Sequence, residues 1–100
     1  MLKPQILVDF LKKNNISFFS GVPDSLLKDF CAYVDDEFPS SNHIIAANEG
    51  AAIGLAIGHH LSSGKVPLVY LQNSGLGNTV NPLISLASQE VYSIPIILVI

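Results

Sequence analysis

Charge is what this chain has least of. Of 100 residues, 13% are Asp, Glu, Lys or Arg and 49% are hydrophobic, against roughly 25% charged in an ordinary soluble domain. A chain this small exposes much of its surface, so the shortage implies that another chain or domain covers part of it. Five scattered basic residues and a net charge of −3 leave no footprint for nucleic acid. The single cysteine, Cys31, excludes an internal disulfide and a cysteine metal cluster, and it fits a reducing, cytoplasmic setting. No apolar run reaches bilayer length. The apolar residues of MLKPQILVDFLKK are spaced rather than continuous, unlike a secretory signal.

What is present alternates. Ile6, Leu7, Phe10 and Leu11 against Lys3, Asp9, Lys12 and Lys13 predict an amphipathic helix over 4–13, opened by Pro4 and closed by Asn14–Asn15. A strand is expected over 16–20 and a helix over 24–34. The pair repeats as a strand over 43–47 with a helix over 48–62, then a strand over 66–71 with a helix over 79–90. A last strand starts near Pro95, and the chain stops inside it at Ile100, which suggests the N-terminal piece of a longer polypeptide. Strands alternating with helices specify a three-layer α/β fold, a mostly parallel sheet with helices on both faces. Ligands of such sheets sit at the carboxyl ends of the strands. The loops GVPDS (21–25), ANEG (47–50) and QNSGLGN (72–78) belong there.

Each loop has a plain structural explanation. In GVPDS, Gly21 and Pro23 suit a tight turn, and Asp24 or Ser25 caps the helix that follows; the functional alternative is an anionic group bound at that helix start. QNSGLGN carries Gly75 and Gly77, but Val80 stands where a dinucleotide fingerprint needs glycine, so that reading fails. It leaves an amide-rich turn in which Gln72, Asn73, Ser74 and Asn78 can face a polar ligand. His59 and His60, about 100° apart on a helix, cannot share a metal, and Cys31 lies on an apolar face as core.

Glu49 is the exception. It is a lone acid in AANEGAAIG, where it could simply favour a helix N-terminus capped by Asn48. Yet Gly50, Gly54 and Gly58 recur along one face, and an interior helical glycine costs roughly 1 kcal/mol relative to alanine. Something is therefore expected to pack close to that face, to dry Glu49 and to raise its pKa.

With FFSGVPDSLL (18–27), AANEGAAIGLAIG (46–58) and LQNSGLGNTVNPL (71–83) in view, the whole chain resembles the pyrimidine-binding domain of thiamine-diphosphate-dependent 2-oxo acid decarboxylases. Glu49 followed by Gly54 is the most diagnostic element. Within the family, the motifs are most similar to the branch that converts 3-phosphonopyruvate to phosphonoacetaldehyde and CO2. The sulfopyruvate branch, where this domain is a separate subunit, is the near alternative. The resemblance implies that Glu49 is catalytic, hydrogen-bonding the cofactor's pyrimidine N1′, and that Pro23 packs near the cofactor. It implies that Asp24 and Ser25 face the substrate, with Gln72 and Asn73 matching the third loop. It also implies that Mg2+ and the diphosphate are held by a second domain, that the site lies across a subunit interface of a homo-oligomer, and that residues 1–100 alone are inactive. The competing reading from another class is a non-catalytic association domain in which Glu49 only starts a helix.

Overall fold

A computed structural model describes residues 3–100. Four parallel strands form one sheet: β1 (Phe19–Gly21), β2 (His43–Ile45), β3 (Leu68–Tyr70) and β4 (Ile97–Val99), in the order β2-β1-β3-β4. Parallel neighbours require crossover connections, and helices supply them. The helices α1 (Pro4–Lys13) and α2 (Lys28–Glu37) cover one face, and α3 (Glu49–Ser63) covers the other with the irregular segment after β3. The expected three-layer α/β architecture is the observed one.

Alternation along the strands divides the core. Phe19, Leu68 and Tyr70 point into the layer of α1 and α2, beside Val8, Leu11, Phe30 and Val34. Val69 and Leu71 point the other way, onto Ala52, Ile53, Ala56 and Ile57 of α3. Ser20, fully buried between them, donates from its hydroxyl to the Ala52 carbonyl at 2.8 Å and so fixes the start of α3 on β1.

Local chemistry explains most boundaries. Pro4 opens α1, and Asn15, at φ 61°, turns the chain out of it. Asn48 caps α3 by accepting from the Ala51 amide at 2.8 Å, and Gly64, at φ 74°, ends it. The buried stripe of α1 is narrower than its apolar arc: Val8 and Leu11 are buried, whereas Ile6 and Phe10 are more than half exposed. The helix expected over 24–34 starts later, at Lys28, after a 3-10 turn at Ser25–Leu27.

The largest departure follows β3. The expected turn is a 3-10 helix, Asn73–Thr79, and the expected helix is one α-turn, Val80–Pro82 (α4), continued as a π turn, Leu83–Ala87. Pro82 has no amide to donate back and crowds the preceding turn. The Ser88 amide then reaches five residues back to the Leu83 carbonyl, 3.0 Å, which ends the helix.

His59 packs its ring on Phe18, with centroids 4.4 Å apart and planes 10° from parallel, and its Nε2 is buried without a partner among the described residues. His60 instead bonds the Lys65 carbonyl at 2.9 Å. Burial first, then the neighbouring Lys65 and His60, hold the His59 pKa below its usual 6.5. The unfolded chain therefore takes up this proton more readily than the folded one, so the contribution of His59 to stability is full above pH 6.5 and is lost as pH falls below it. In urea titrations across this range, His59→Phe, which keeps the stack, is expected to flatten that decline. An undiminished decline would place the acid sensitivity elsewhere.

Candidate functional site

The three loops meet at the carboxyl edge of the sheet. Gly21 lies directly opposite Tyr70 in the β1–β3 register, and the backbones are so close that a Cβ on Gly21 would overlap the Tyr70 carbonyl and approach its ring to 2.6 Å. Gly21 is needed for this close approach rather than for a positive φ, contrary to the turn role expected of it. From there the chain runs through Pro23 to Asp24, whose Oδ1 accepts from the amides of Leu26 at 2.8 Å and Leu27 at 3.0 Å. Asp24 is thus the cap of its helical turn.

Across from it, β3 leads into Gln72 and Asn73. Asp24, Leu26, Leu27, Leu71, Gln72, Asn73, Ser74 and Ile100 line one open cleft of about 680 Å³. Four residues singled out from sequence, Asp24, Gln72, Asn73 and Ser74, therefore share a cleft. Pro23 and Ser25 are exposed on the adjoining loop and do not line it.

Glu49 sits on the other side of the same 73–79 turn. It is the first residue of α3, half-buried, and its Oε2 accepts from the Asn78 amide at 2.9 Å. Its carboxylate rests on Gly75, where any Cβ would occupy the space of the Glu49 side chain. Gly50 is packed nearly as closely, because a Cβ there would stand 3.1 Å from the Asn78 carbonyl. Sequence reading noticed Asn78 as a polar loop residue and Gly75 as part of a failed fingerprint. It missed that the two together seat the acid, a relation visible only once the turn is folded onto α3.

In the chain by itself, one expectation about Glu49 is reversed. Its pKa is lowered, not raised: the Asn78 amide stabilises the carboxylate first, the backbone amide of Glu49 adds to this, and slight desolvation opposes both. Of the three glycines along one face of α3, only Gly50 is packed by the described residues. Gly54 and Gly58 have no neighbour within 4 Å of a would-be Cβ, and both are exposed alongside Leu55 and Leu61. The arrangement thus presents an ionised, partly sheltered hydrogen-bond acceptor beside a smooth, open, apolar helix face. Removing the amide in Asn78→Ala is expected to move the Glu49 pKa upward, read by NMR titration of its side-chain carbonyl carbon, with the fold unchanged. A pKa that stays in place would deny the amide its role.

Residues 4–100 match the thiamine pyrophosphate enzyme, N-terminal TPP binding domain. Over 90 residues the chain is 38% identical to the sulfopyruvate decarboxylase subunit alpha of Methanothermobacter thermautotrophicus, covering 90% of this chain and 52% of that one. The subunit of the same name from Methanococcus maripaludis is 37% identical over 87 residues, 87% and 50% of the two chains. The chain thus spans about half the length of the curated relatives it matches. Among solved structures, the benzoylformate decarboxylase from Polynucleobacter necessarius superposes with a TM-score of 0.73 at 27% identity, over 98% of this chain and 18% of that one. This chain belongs to the family of thiamine pyrophosphate enzyme N-terminal TPP-binding domains.

Proposed function

We propose that residues 1–100 are the pyrimidine-binding half of a thiamine-diphosphate-dependent carboxy-lyase whose substrate is 3-sulfopyruvate. The observation that carries this reading is the seat of Glu49: an ionised carboxylate at the start of α3, fixed by Asn78 on Gly75, at the sheet edge where ligands of such folds bind. The sulfonate is preferred over the phosphonate expected from the motifs because the relatives at 36–38% identity carry the name sulfopyruvate decarboxylase subunit alpha. Phosphonopyruvate remains the second reading, supported by the similarity of GVPDS, NEGAAIG and LQNSGLGN to that branch.

The residues fit the pyrimidine end of the cofactor. Glu49 offers an acceptor with no lysine or histidine paired to it among the described residues. When bound, thiamine diphosphate supplies a ring carbon that adds to a 2-oxo group and a cationic ring that takes up the electrons released with CO2. Glu49 would accept a hydrogen bond from the protonated pyrimidine N1′ and so govern the proton there. Pro23, projecting from its loop, would pack beside the cofactor. Asp24 and Ser25 would face the substrate, with Gln72 and Asn73 as donors across the cleft. No lysine lines that cleft, so the cation that meets the substrate's anionic tail would come from the second half, along with the groups that hold the diphosphate and Mg2+. The open face of Gly54 and Gly58 would receive a second chain of a homo-oligomer, whose packing would exclude water from Glu49.

The test is CO2 release by the complete enzyme with thiamine diphosphate and Mg2+, on sulfopyruvate, 3-phosphonopyruvate and pyruvate. Sulfopyruvate is expected to be the preferred substrate, and Glu49→Gln to lower the rate by about 10²-fold or more, as for loss of a positioned acid–base group. Preference for phosphonopyruvate would move the substrate and keep the mechanism. Full activity in the Gln variant would remove Glu49 from it.

A further inference from the structure

Behind the Gly21–Asp24 loop, on the face of the sheet away from Glu49, a polar chain runs from Asp35, whose side chain is 61% exposed, into an otherwise apolar layer. His43, at the start of β2, has a side chain only 5% exposed. Its Nδ1 lies 2.7 Å from Asp35 Oδ1 on α2, and its Nε2 lies 2.7 Å from the hydroxyl of Tyr70 on β3. A carboxylate can only accept, so Nδ1 carries the proton and donates to Asp35. In the neutral ring, Nε2 then accepts from the Tyr70 hydroxyl. The Cys31 thiol of α2 neighbours that hydroxyl. Two elements, α2 and β2, thereby grip a tyrosine on a third.

The grip matters because of what the Tyr70 ring touches. Tyr70 is fully buried, set edge-on to Phe30 and to His43, and its Cδ2–Cε2 edge fills the space over the Cα of Gly21. Gly21 is the last residue of β1 before the loop that carries Pro23 and Asp24. A simple core aromatic would need no hydroxyl here, and the buried pair of His43 and Tyr70 is costly unless both members are satisfied. Among the described residues, this is where the apolar layer of α1 and α2 admits a bonded polar pair.

We propose that Tyr70 and His43 are positioning residues for the substrate- and cofactor-facing loop Val22–Ser25: anchored through His43 to Asp35, the Tyr70 ring fixes the end of β1 and so the direction in which the loop leaves the sheet. The inference rests on the reading of that loop given above. It separates the loop from the acid. Tyr70 belongs to the core of α1 and α2, whereas Glu49 is held by Asn48, Asn78 and Gly75 on the α3 side. Loosening the Tyr70 anchor therefore disturbs binding by the loop and leaves the proton at Glu49 in place.

The test uses the complete enzyme with Tyr70→Phe, which keeps the ring and loses the hydroxyl, His43→Ala, and His43→Gln, which can still bridge two partners. Tyr70→Phe and His43→Ala are expected to raise KM for sulfopyruvate and Kd for thiamine diphosphate about tenfold, because small misplacements of binding groups are costly. kcat is expected to stay within about twofold, and His43→Gln to recover part of the loss. A purely structural role predicts the opposite split, a lower kcat in proportion to the folded fraction at unchanged KM, and that result would overturn the proposal. Hydrogen exchange at the Leu26 and Leu27 amides, read without ligand, decides the same point independently of the reaction. The proposal expects exchange to be about tenfold faster in Tyr70→Phe and His43→Ala, and unchanged exchange overturns it. A wild-type enzyme that binds no thiamine diphosphate, yet shows the faster exchange in its variants, would reject the functional reading while upholding the positioning role.

Discussion

The close approach of β1 and β3 at Gly21 and Tyr70 is the constraint on which the rest of the structure turns. These are the two central strands of the sheet, and the contact leaves no room for a Cβ. A methyl group there must displace backbone as well as ring, and overpacking of this kind costs roughly 1–3 kcal/mol. Three parts of the candidate site start at this pair or beside it. The GVPDS loop departs from Gly21, the cleft-lining amides follow Tyr70, and Ser20, one residue back, ties α3 to the sheet. Close-packed strands thus become a fixed edge, and the edge holds three loops in register.

The two helical layers divide the work. The side of α1 and α2 carries the aromatic core and the Asp35–His43–Tyr70 chain, and it sets the direction of the loop that ends in the Asp24 cap. The side of α3 carries the acid and its seat on the 73–79 turn. That turn is common to both: Gln72, Asn73 and Ser74 look into the cleft, while Gly75 and Asn78 hold Glu49. The same short segment thus lines the cleft on one side and seats Glu49 on the other.

How much of this could be read beforehand depended on whether the cause was local. The bounds of α1 and α3 were legible because Pro4, Asn15, Asn48 and Gly64 act on their own backbone. The parallel order and the convergence of three loops followed from alternation alone. The helix expected over 79–90 is shorter and irregular, 80–87, because apolar spacing says nothing of Pro82 meeting a tightly wound 3-10 segment. The stripe of α1 was misjudged at Ile6 and Phe10, since periodicity shows an apolar arc and not how much of it a partner covers. The sign of the Glu49 shift was misread for a related reason. The donor that sets it lies 29 residues away, and in sequence it was only one amide among several. The glycine face was legible as a pattern, and the described residues leave Gly54 and Gly58 open.

That open face and the cleft without a lysine make one claim central: the chain supplies half of a site. Isothermal titration of thiamine diphosphate with Mg2+ into residues 1–100 alone, and then into the same chain combined with its complementary half, tests it most directly. The account predicts no measurable binding to the chain alone and saturable binding once both halves are present. Comparable affinity in the two titrations would contradict it, because the determinants of cofactor binding would then lie within these 100 residues.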